Sequence, residues 1–577
     1  MSVRWIVPPP AEEEARRLSE GCGVALPAAR VLASRGFRDP AAVRRFLRPG
    51  LSDLEDPFAL RGMDRAVDRL LRAIGNAEPV LLYGDYDTDG IVSVTLLRRM
   101  IELLGHRVEY HIPDRFRDGY GIQPAMVEQA AQSGIKLIVS VDTGIRAAEC
   151  VRLAASLGID TIVTDHHLPE ADLPPAYAIL NPNQPDCPYP NKNLCGAGVT
   201  FKLLQALMTA ARLPEEKMRA WSDSFLGLVA IATVADVMPL TGENRVLVKR
   251  GLESLRSTKN PGLRALMECS GLIPGEPLSG GDLGFRLSPR INAAGRMDNA
   301  REVVELFLTR DPQRASSIAA ELDRLNAERR AAEEKIVREI LEACDREPVS
   351  DDCRGLVFSG SGWHRGVVGI VASRVVEKFH RPALVLSEDP ESGLAQGSGR
   401  SIHAFHLLEA LESMGELFTR FGGHKYAAGL TLPIDRLDEL RRRFQAYAAE
   451  RLSPDDLTPV LEVDARVELG ELNDSSVDEV LQIAPFGAGN PRPRFLVSGA
   501  VVASPPAVFK DKLVIVKLSG RSGVLKLKAW NFVSRLDEIA PGARVDAVVS
   551  LEEDAYSRNR GYAPWSAVLD DVRPAVE

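Results

Sequence analysis

Two runs of acids and imidazoles carry the chemistry of this chain: Gly84-Asp85-Tyr86-Asp87-Thr88-Asp89-Gly90 and Asp165-His166-His167. Each follows an apolar run of the length of a buried parallel strand, Val80-Leu81-Leu82-Tyr83 before the first and Thr161-Ile162-Val163-Thr164 before the second. A third such run, Leu137-Ile138-Val139-Ser140-Val141, delivers Asp142, and Asp236 follows the apolar stretch from Leu228 to Ala232. In an open α/β sheet the carboxyl ends of the strands face one crevice, so side chains just past different strands meet there. Carboxylates mixed with imidazoles, without thiolates, suit Mn²⁺ or Mg²⁺ better than a structural zinc. Taken alone, an Asp after a strand is more often a helix N-cap than a ligand, and a His pair can be structural. Carboxylates alternating at 85, 87 and 89 repel one another, however, and a cation is the usual reason to tolerate them. Separate segments aiming acids and imidazoles at one edge point to a two-metal hydrolytic centre.

The elements that must position these residues are legible as an alternation. Strands are expected at 79–84, 107–112, 136–141, 160–164 and 177–180, with helices such as 91–104 and 146–157 between them, which implies a mostly parallel sheet. Helices continue to about residue 310. The charge-rich stretch 311–347 has no Gly, and no Pro after Pro312, and spaces Ile318, Leu322, Leu325, Ile336 and Ile340 helically. As one helix it would extend about 50 Å; a helical hairpin fits the same pattern.

A second α/β unit follows, with a strand at Leu356–Phe358, a loop from Ser359 to Gly366, a helix from Val367 to Lys378 and a strand from Pro382 to Leu386. A glycine-rich loop opening a helix is a natural anion site. Gly397-Ser398-Gly399-Arg400-Ser401 and Gly422-Gly423-His424-Lys425 read as two further glycine turns carrying a cation or an imidazole. Tight turns in a small domain would look the same. After about 455 the chain becomes β-rich, with short strands near 460–467, 495–503, 513–517, 524–530, 544–551 and 565–569, the pattern of a small barrel such as an OB-fold. Lys510, Lys512, Lys517, Lys526, Lys528, Trp530 and Phe532 interleave cations with aromatics, as a single-strand stacking platform requires. A barrel whose aromatics point inward fits that spacing too. Residues 1 to about 50 read as short helices covering the domain that follows them.

A chain of 577 residues is too long for one core. No apolar run approaches a membrane span, and the N-terminus has no signal-peptide pattern, so a cytoplasmic protein with no membrane partner is expected. Seven cysteines without a C-x-x-C argue against a disulfide framework or a zinc ribbon. A net charge of −9 does not exclude a nucleic-acid partner; it predicts that any such surface is localised.

The run GDYDTDG, then VDTG, TDHH and ATVADVMPL, resembles the ordered motifs of the DHH phosphoesterase superfamily. Arg117-Asp118-Gly119-Tyr120-Gly121, Pro289 to Arg296, Phe421-Gly422-Gly423-His424 and Pro485 to Pro491 are similar to further segments of the bacterial RecJ single-strand DNA exonucleases. The resemblance covers the chain from about residue 25 to its end. It implies an α/β fold in which a parallel-sheet DHH catalytic domain (75–310) follows an N-terminal helical segment (1–74). A connecting helix (311–347) then leads to a smaller α/β DHHA1 substrate-binding domain (348–452) and an OB-like barrel (453–577). It further implies metal-dependent 5′ to 3′ hydrolysis of single-stranded DNA to 5′-mononucleotides in repair and recombination, with two Mn²⁺ or Mg²⁺ ions.

By the family pattern, Asp142 would bridge the metals, with Asp85, Asp87, His166 and Asp236 completing their ligands. His167 would contact the phosphate or protonate the leaving group, and Asp165 and Asp89 would orient the others. Arg290, Asn292, Arg296, Ser398, Arg400 and His424 are expected to grip the DNA backbone, in a cleft between two lobes. One departure is Tyr83, where some relatives carry a histidine; a phenol is a poor ligand, so a weaker second metal site is expected. Single-strand binding protein, a helicase and a monomeric state belong to the same implication. The alternative is a DHH–DHHA1 oligonucleotide or cyclic-dinucleotide phosphodiesterase, which shares the metal motifs but needs neither the long helix nor the extra β domain. A manganese pyrophosphatase, or an inactive DNA-tethering subunit, fits the residues less well.

Overall fold

Parallel pairing and strand order explain why the acids meet. In the computed structural model, which describes residues 3–114, 119, 121–296, 300–350, 352–554 and 563–575, the first sheet runs Glu109–His111, Val80–Tyr83, Leu137–Val141, Asp160–Thr164, Ala178–Leu180. Every neighbouring pair is parallel. Val80–Tyr83 and Leu137–Val141 are buried at every residue, as strands covered on both faces must be. The chain order reverses between these two strands, and such a switch point opens a crevice at their carboxyl ends. Arg117, Asp118 and Tyr120 of the Arg117–Gly121 motif lie outside the described residues.

The chain divides into two compact units, one of Met1–Trp5 with Glu321–Leu461 and one of Ile6–Ala320 with Glu462–Glu577. Pro312–Arg346 is a single helix of 35 residues, not a hairpin. Its interior lacks a breaker, and the Arg329–Glu333 and Lys335–Glu339 pairs add i,i+4 support.

In the smaller unit the sheet runs Arg420–Gly423, Ala427–Pro433, Leu394–Arg400, Ala383–Asp389, Leu356–Ser361, the last pair parallel and the others antiparallel. Two expectations are corrected here. Gly397-Ser398-Gly399-Arg400 is strand, not a glycine turn. A Cβ at Gly397 would come within 2.2 Å of the Val385 carbonyl oxygen, so glycine serves close strand approach. Gly422 and Gly423 likewise end a strand, and His424 to Tyr426 make the turn, with the His424 N–H donating to the Ala427 carbonyl at 2.8 Å.

In the larger unit, Arg494–Val502, Leu513–Gly520, Gly523–Trp530, Arg544–Glu553 and Trp565–Pro574 close into a barrel, because the first pairs with both the second and the fourth. Val514, Val516, Leu518, Leu525, Leu527 and Ala529 alternate inward along two of these strands. The core they form is shared with the N-terminal helices Glu12–Cys22, Leu26–Ser34 and Pro40–Leu47, through Leu18, Leu32 and Val43 among others. These helices therefore pack on the last domain of the chain and not, as expected, on the next. Ion pairs of Arg30 with Glu471 and Arg35 with Asp464, both at 2.8 Å, fasten them there. Arg245 ties this assembly to the parallel-sheet domain: it is buried and donates to the carbonyls of Phe46 at 2.7 Å and Ala484 at 2.8 Å.

Candidate metal centre

Each acid is held by an element that begins or ends at the crevice. Asp87 is the N-cap of helix Thr88–Leu103, its Oδ1 accepting from the N–H groups of Asp89 at 3.0 Å and Gly90 at 3.1 Å. Asp89 accepts from Gly196 N–H at 2.6 Å and Ala197 N–H at 2.8 Å, the positive end of helix Gly196–Ala210. Asp142 ends its strand in the left-handed region at φ 58°, a strained conformation of the kind that gathers at functional sites. Gly196 lies beneath it, where a Cβ would come within 2.6 Å of Asp142 Oδ1.

Asp165 organises the two histidines. Its Oδ1 accepts from His166 N–H at 2.8 Å and from His167 Nδ1 at 2.7 Å, and its Oδ2 accepts from Ile145 N–H at 2.9 Å. Fixing Nδ1 in this way sets the direction of the His167 ring.

His166 Nε2 stands 3.2 Å from Asp142 Oδ1, 3.6 Å from Asp236 Oδ2 and 3.7 Å from Asp89 Oδ2. The candidate ligand atoms form three groups, Asp85–Asp87–Asp142, Asp142–His166–His167 and Asp89–His166–Asp236, each with all atoms within 4.8 Å. Asp142 and His166 each belong to two groups. Among the described residues Asp142 Oδ1, His166 Nε2 and Asp236 Oδ2 are buried without a hydrogen-bond partner. Orphaned polar atoms of this kind cost about 1–3 kcal/mol each, and converging on one point they fit divalent cations.

The electrostatics agree. Burial, then the charges of Asp89, Asp87, Asp85 and Asp236, raise the Asp142 carboxyl well above its usual range. Burial, with Asp89 and Asp87, pushes Asp236 up to about 9. Burial lowers His166. It would lower His167 too, but the hydrogen bond and charge of Asp165 push that imidazole up to about 9. A bound divalent cation reverses the sign of the field on the acids.

The structure brings Asp85, Asp87, Asp142, His166, His167 and Asp236 together and adds Asp89, which sequence reasoning gave an orienting role only. The Tyr83 hydroxyl donates to the Gly121 carbonyl at 3.0 Å. Asn292 departs from expectation: its side-chain oxygen accepts from Thr88 N–H at 2.9 Å and Thr88 Oγ1 at 2.8 Å. Three residues on, a Cβ at Gly295 would come within 2.1 Å of the Tyr86 carbonyl oxygen, so helix Ser288–Arg296 is latched onto the acid loop. The signal was the Asn-x-x-Gly spacing on one helical face. Arg290, on that helix, donates to the Arg286 carbonyl at 2.6 Å, and Arg296 ends it. In the other unit, Ser398 and Arg400 converge on Gly369 at the start of helix Val368–Phe379, 3.3 and 3.2 Å from where its Cβ would be. His424 Nδ1 accepts from Tyr426 N–H at 3.3 Å.

The aromatic–cation face of the barrel is also redrawn. Phe532 is 5 % exposed and belongs to the core, and Lys528 is paired with Glu552 at 3.2 Å and Asp554 at 3.0 Å. In their place stands Phe509, 53 % exposed, in register with Leu513, which in turn faces Trp530, 51 % exposed. Lys517 lies directly opposite Lys526.

Residues 79–233 match the DHH family, N-terminal domain, residues 353–450 the DHHA1 domain, and residues 463–562 the RecJ OB domain. The single-stranded-DNA-specific exonuclease RecJ of Bacillus subtilis is 37% identical over 559 residues, which are 97% of this chain and 70% of that one. The chain belongs to the RecJ family. The Escherichia coli RecJ is 38% identical over 81% of this chain and 82% of its own. The crystal structure of Thermus thermophilus RecJ with Mn²⁺ aligns over 100% of this chain and 80% of that one, with TM-score 0.84 and 31% identity. Its Mg²⁺ complex aligns over 100% and 79%, with TM-score 0.78 and 29% identity. Both ions bound in those relatives are of the kind that the carboxylate and imidazole groups gathered here suit. Among the described residues no helix is long and apolar enough to cross a membrane.

Proposed function

We propose that this RecJ-family chain hydrolyses single-stranded DNA from its 5′ end to 5′-mononucleotides, in DNA repair and recombination. The observation that carries the reading is the nest of orphaned buried atoms, Asp142 Oδ1, His166 Nε2 and Asp236 Oδ2, at the switch point of the parallel sheet. Bound there, a pair of Mn²⁺ or Mg²⁺ ions supplies a hydroxide near neutral pH and neutralises charge on the phosphoryl group. Asp85, Asp87, Asp142, His166 and Asp236 are the proposed ligands, with Asp142 shared. Asp165 orients His167, which contacts the phosphate or gives a proton to the leaving 3′-oxygen.

Arg290, Arg296, Ser398, Arg400 and His424 hold the backbone, and contacts to phosphate position a strand without reading its bases. On the barrel, the directly opposed Lys517 and Lys526 repel one another, which a polyanion lying over them would relieve. Trp530, four residues along the strand from Lys526, and Phe509, on the strand paired with that of Lys517, offer faces for bases. That platform favours a long strand over a dinucleotide. Recruitment by single-strand binding protein and a helicase, and action as a monomer, complete the proposal.

The test is digestion of single- and double-stranded DNA labelled at either end, with Mn²⁺, Mg²⁺ or Ca²⁺. The 5′ label should appear first as mononucleotide from single strands, with Mn²⁺ or Mg²⁺ only. Equal attack on blunt duplex, or internal cleavage, would overturn the reading.

A further inference from the structure

Far from the metal centre, the parallel-sheet domain gathers a second set of cations. Helix Thr88–Leu103 starts at the acid loop and runs back along the sheet, so Arg99 stands roughly 16 Å further along its axis. There it lines a cavity of about 530 Å³ with Lys259 and Arg310, over a floor that includes Phe225, Leu263 and Phe307. That volume is in the range of small-ligand sites.

Four cations, Arg99, Arg250, Lys259 and Arg310, line this cavity against two acids, Asp223 and Glu253. Glu102 is ion-paired with Arg98 at 2.9 Å, and Glu253 of the lining is taken by Arg250. Among the described residues Arg99, Lys259 and Arg310 have no ion-pair partner, and Asp223 is the remaining acid of the lining. Burial and the neighbouring Arg310 charge, against the opposing pull of Glu102, hold the half-buried Arg99 guanidinium below its ordinary range. Helix C-termini attract cations singly, which accounts for Arg310 just past helix Ala300–Leu308. It does not account for two guanidinium groups and Lys259 lining one cavity, in a chain of net charge −9, with one of them partly out of water. An anion between them would remove the repulsion, and planar guanidinium forks match phosphate oxygens in pairs. The start of helix Pro261–Cys269, capped by Asn260, opens on the same cavity and adds a positive dipole end.

We propose that this cavity is a phosphate-binding site distinct from the metal centre, taking the phosphoryl group of a free nucleotide or of a DNA strand. It is tested on metal-stripped full-length protein in EDTA, titrated with inorganic phosphate, thymidine 5′-monophosphate and thymidine at constant ionic strength. Calorimetry and thermal melting give the readouts. Phosphate and the monophosphate should bind and raise the melting temperature, and thymidine should not. The Arg99→Ala/Arg310→Ala double variant should lose roughly tenfold or more in affinity, the scale of one charge-assisted hydrogen bond. Arg310→Ala alone removes an exposed side chain without threatening the fold, and should show part of that loss. Hydrolysis of a short oligonucleotide should be unchanged in both. Affinity for a long single strand in Ca²⁺ then separates the sources. A weaker double variant assigns the site to the strand's own phosphates, and an unchanged one to free nucleotide. Equal melting of the wild type in phosphate and in chloride, or equal phosphate affinity of wild type and double variant, overturns the proposal.

Discussion

Asn292→Ala separates two roles that sequence and structure give the same residue. As a backbone grip it would act on DNA; as observed, its oxygen accepts two hydrogen bonds from Thr88, at 2.9 and 2.8 Å. Thr88 is buried and opens the helix that Asp87 caps, so its position sets that of Asp85, Asp87 and Asp89 together. Removing the acceptor leaves a buried N–H and a buried O–H unpaired, at about 1–3 kcal/mol each. The loop can escape that cost by shifting, which spoils the ligand set instead. Loss of a group that orients metal ligands typically costs about 10–100-fold in metal affinity. Mn²⁺ binding to the free protein, followed by electron paramagnetic resonance, should therefore weaken by about that factor. Affinity for a single strand at saturating Ca²⁺ should stay within about twofold, well under ~1 kcal/mol. Asn292→Asp keeps an acceptor at the same place and should keep the loop. Wild-type Mn²⁺ affinity in Asn292→Ala, together with a collapse of strand affinity, would refute the latch and return Asn292 to the DNA surface.

Asp142→Asn should cut hydrolysis by more than tenfold, over ~1.4 kcal/mol, and in EDTA should melt above wild type because the acids repel one another less. Metal-free wild type should lose stability as pH rises. Asp236 keeps its proton up to about 9 in the folded chain, against 3.8 for an ordinary Asp, so the folded state binds more protons between those values. Melting in EDTA across that window checks the slope, which Mn²⁺ should flatten. His167→Ala should slow single turnover far more than it weakens strand binding in Ca²⁺, and a normal rate with lost affinity would make it a ground-state contact. Phe509→Ala and Trp530→Ala should each cost about 1–3 kcal/mol of long-strand affinity while sparing short oligonucleotides, whereas Phe532→Ala should lower the melting temperature.

What the sequence by itself determined is local. The parallel strands announced themselves because both faces are buried, and Asp85, Asp142 and Asp165 sit just beyond three of them. Repulsion among closely spaced acids was enough to call for a cation before any coordinate was known. The barrel strands were legible from their alternation, and the long helix from its lack of breakers, although the hairpin was excluded only by the observed chain.

The tertiary structure decided what touches what. Amphipathic helices show that a face is buried but not against which partner, so only the shared core placed the N-terminal helices on the barrel. The two are for that reason not separable by truncation, and point substitutions are the cleaner probes of the DNA face. Strand Gly523–Trp530 ends before Asn531, which turns the chain at φ 61° and carries Phe532 into the core instead of onto the outward face of Trp530. Phe509, by contrast, lies on a short strand exposed at every residue. Gly397 and Gly399, which suggest turns in isolation, proved to lie, respectively, where the neighbouring strand comes too close for a side chain and where the Leu384 and Leu407 side chains fill the space. Asn292, which as a polar residue between two arginines suggests DNA, is bound to the acid loop because helix Ser288–Arg296 crosses it closely enough to exclude a Cβ at Gly295. Local chemistry is written in residue type and spacing; its allocation between metal, strand and core depends on distances that only the folded chain creates.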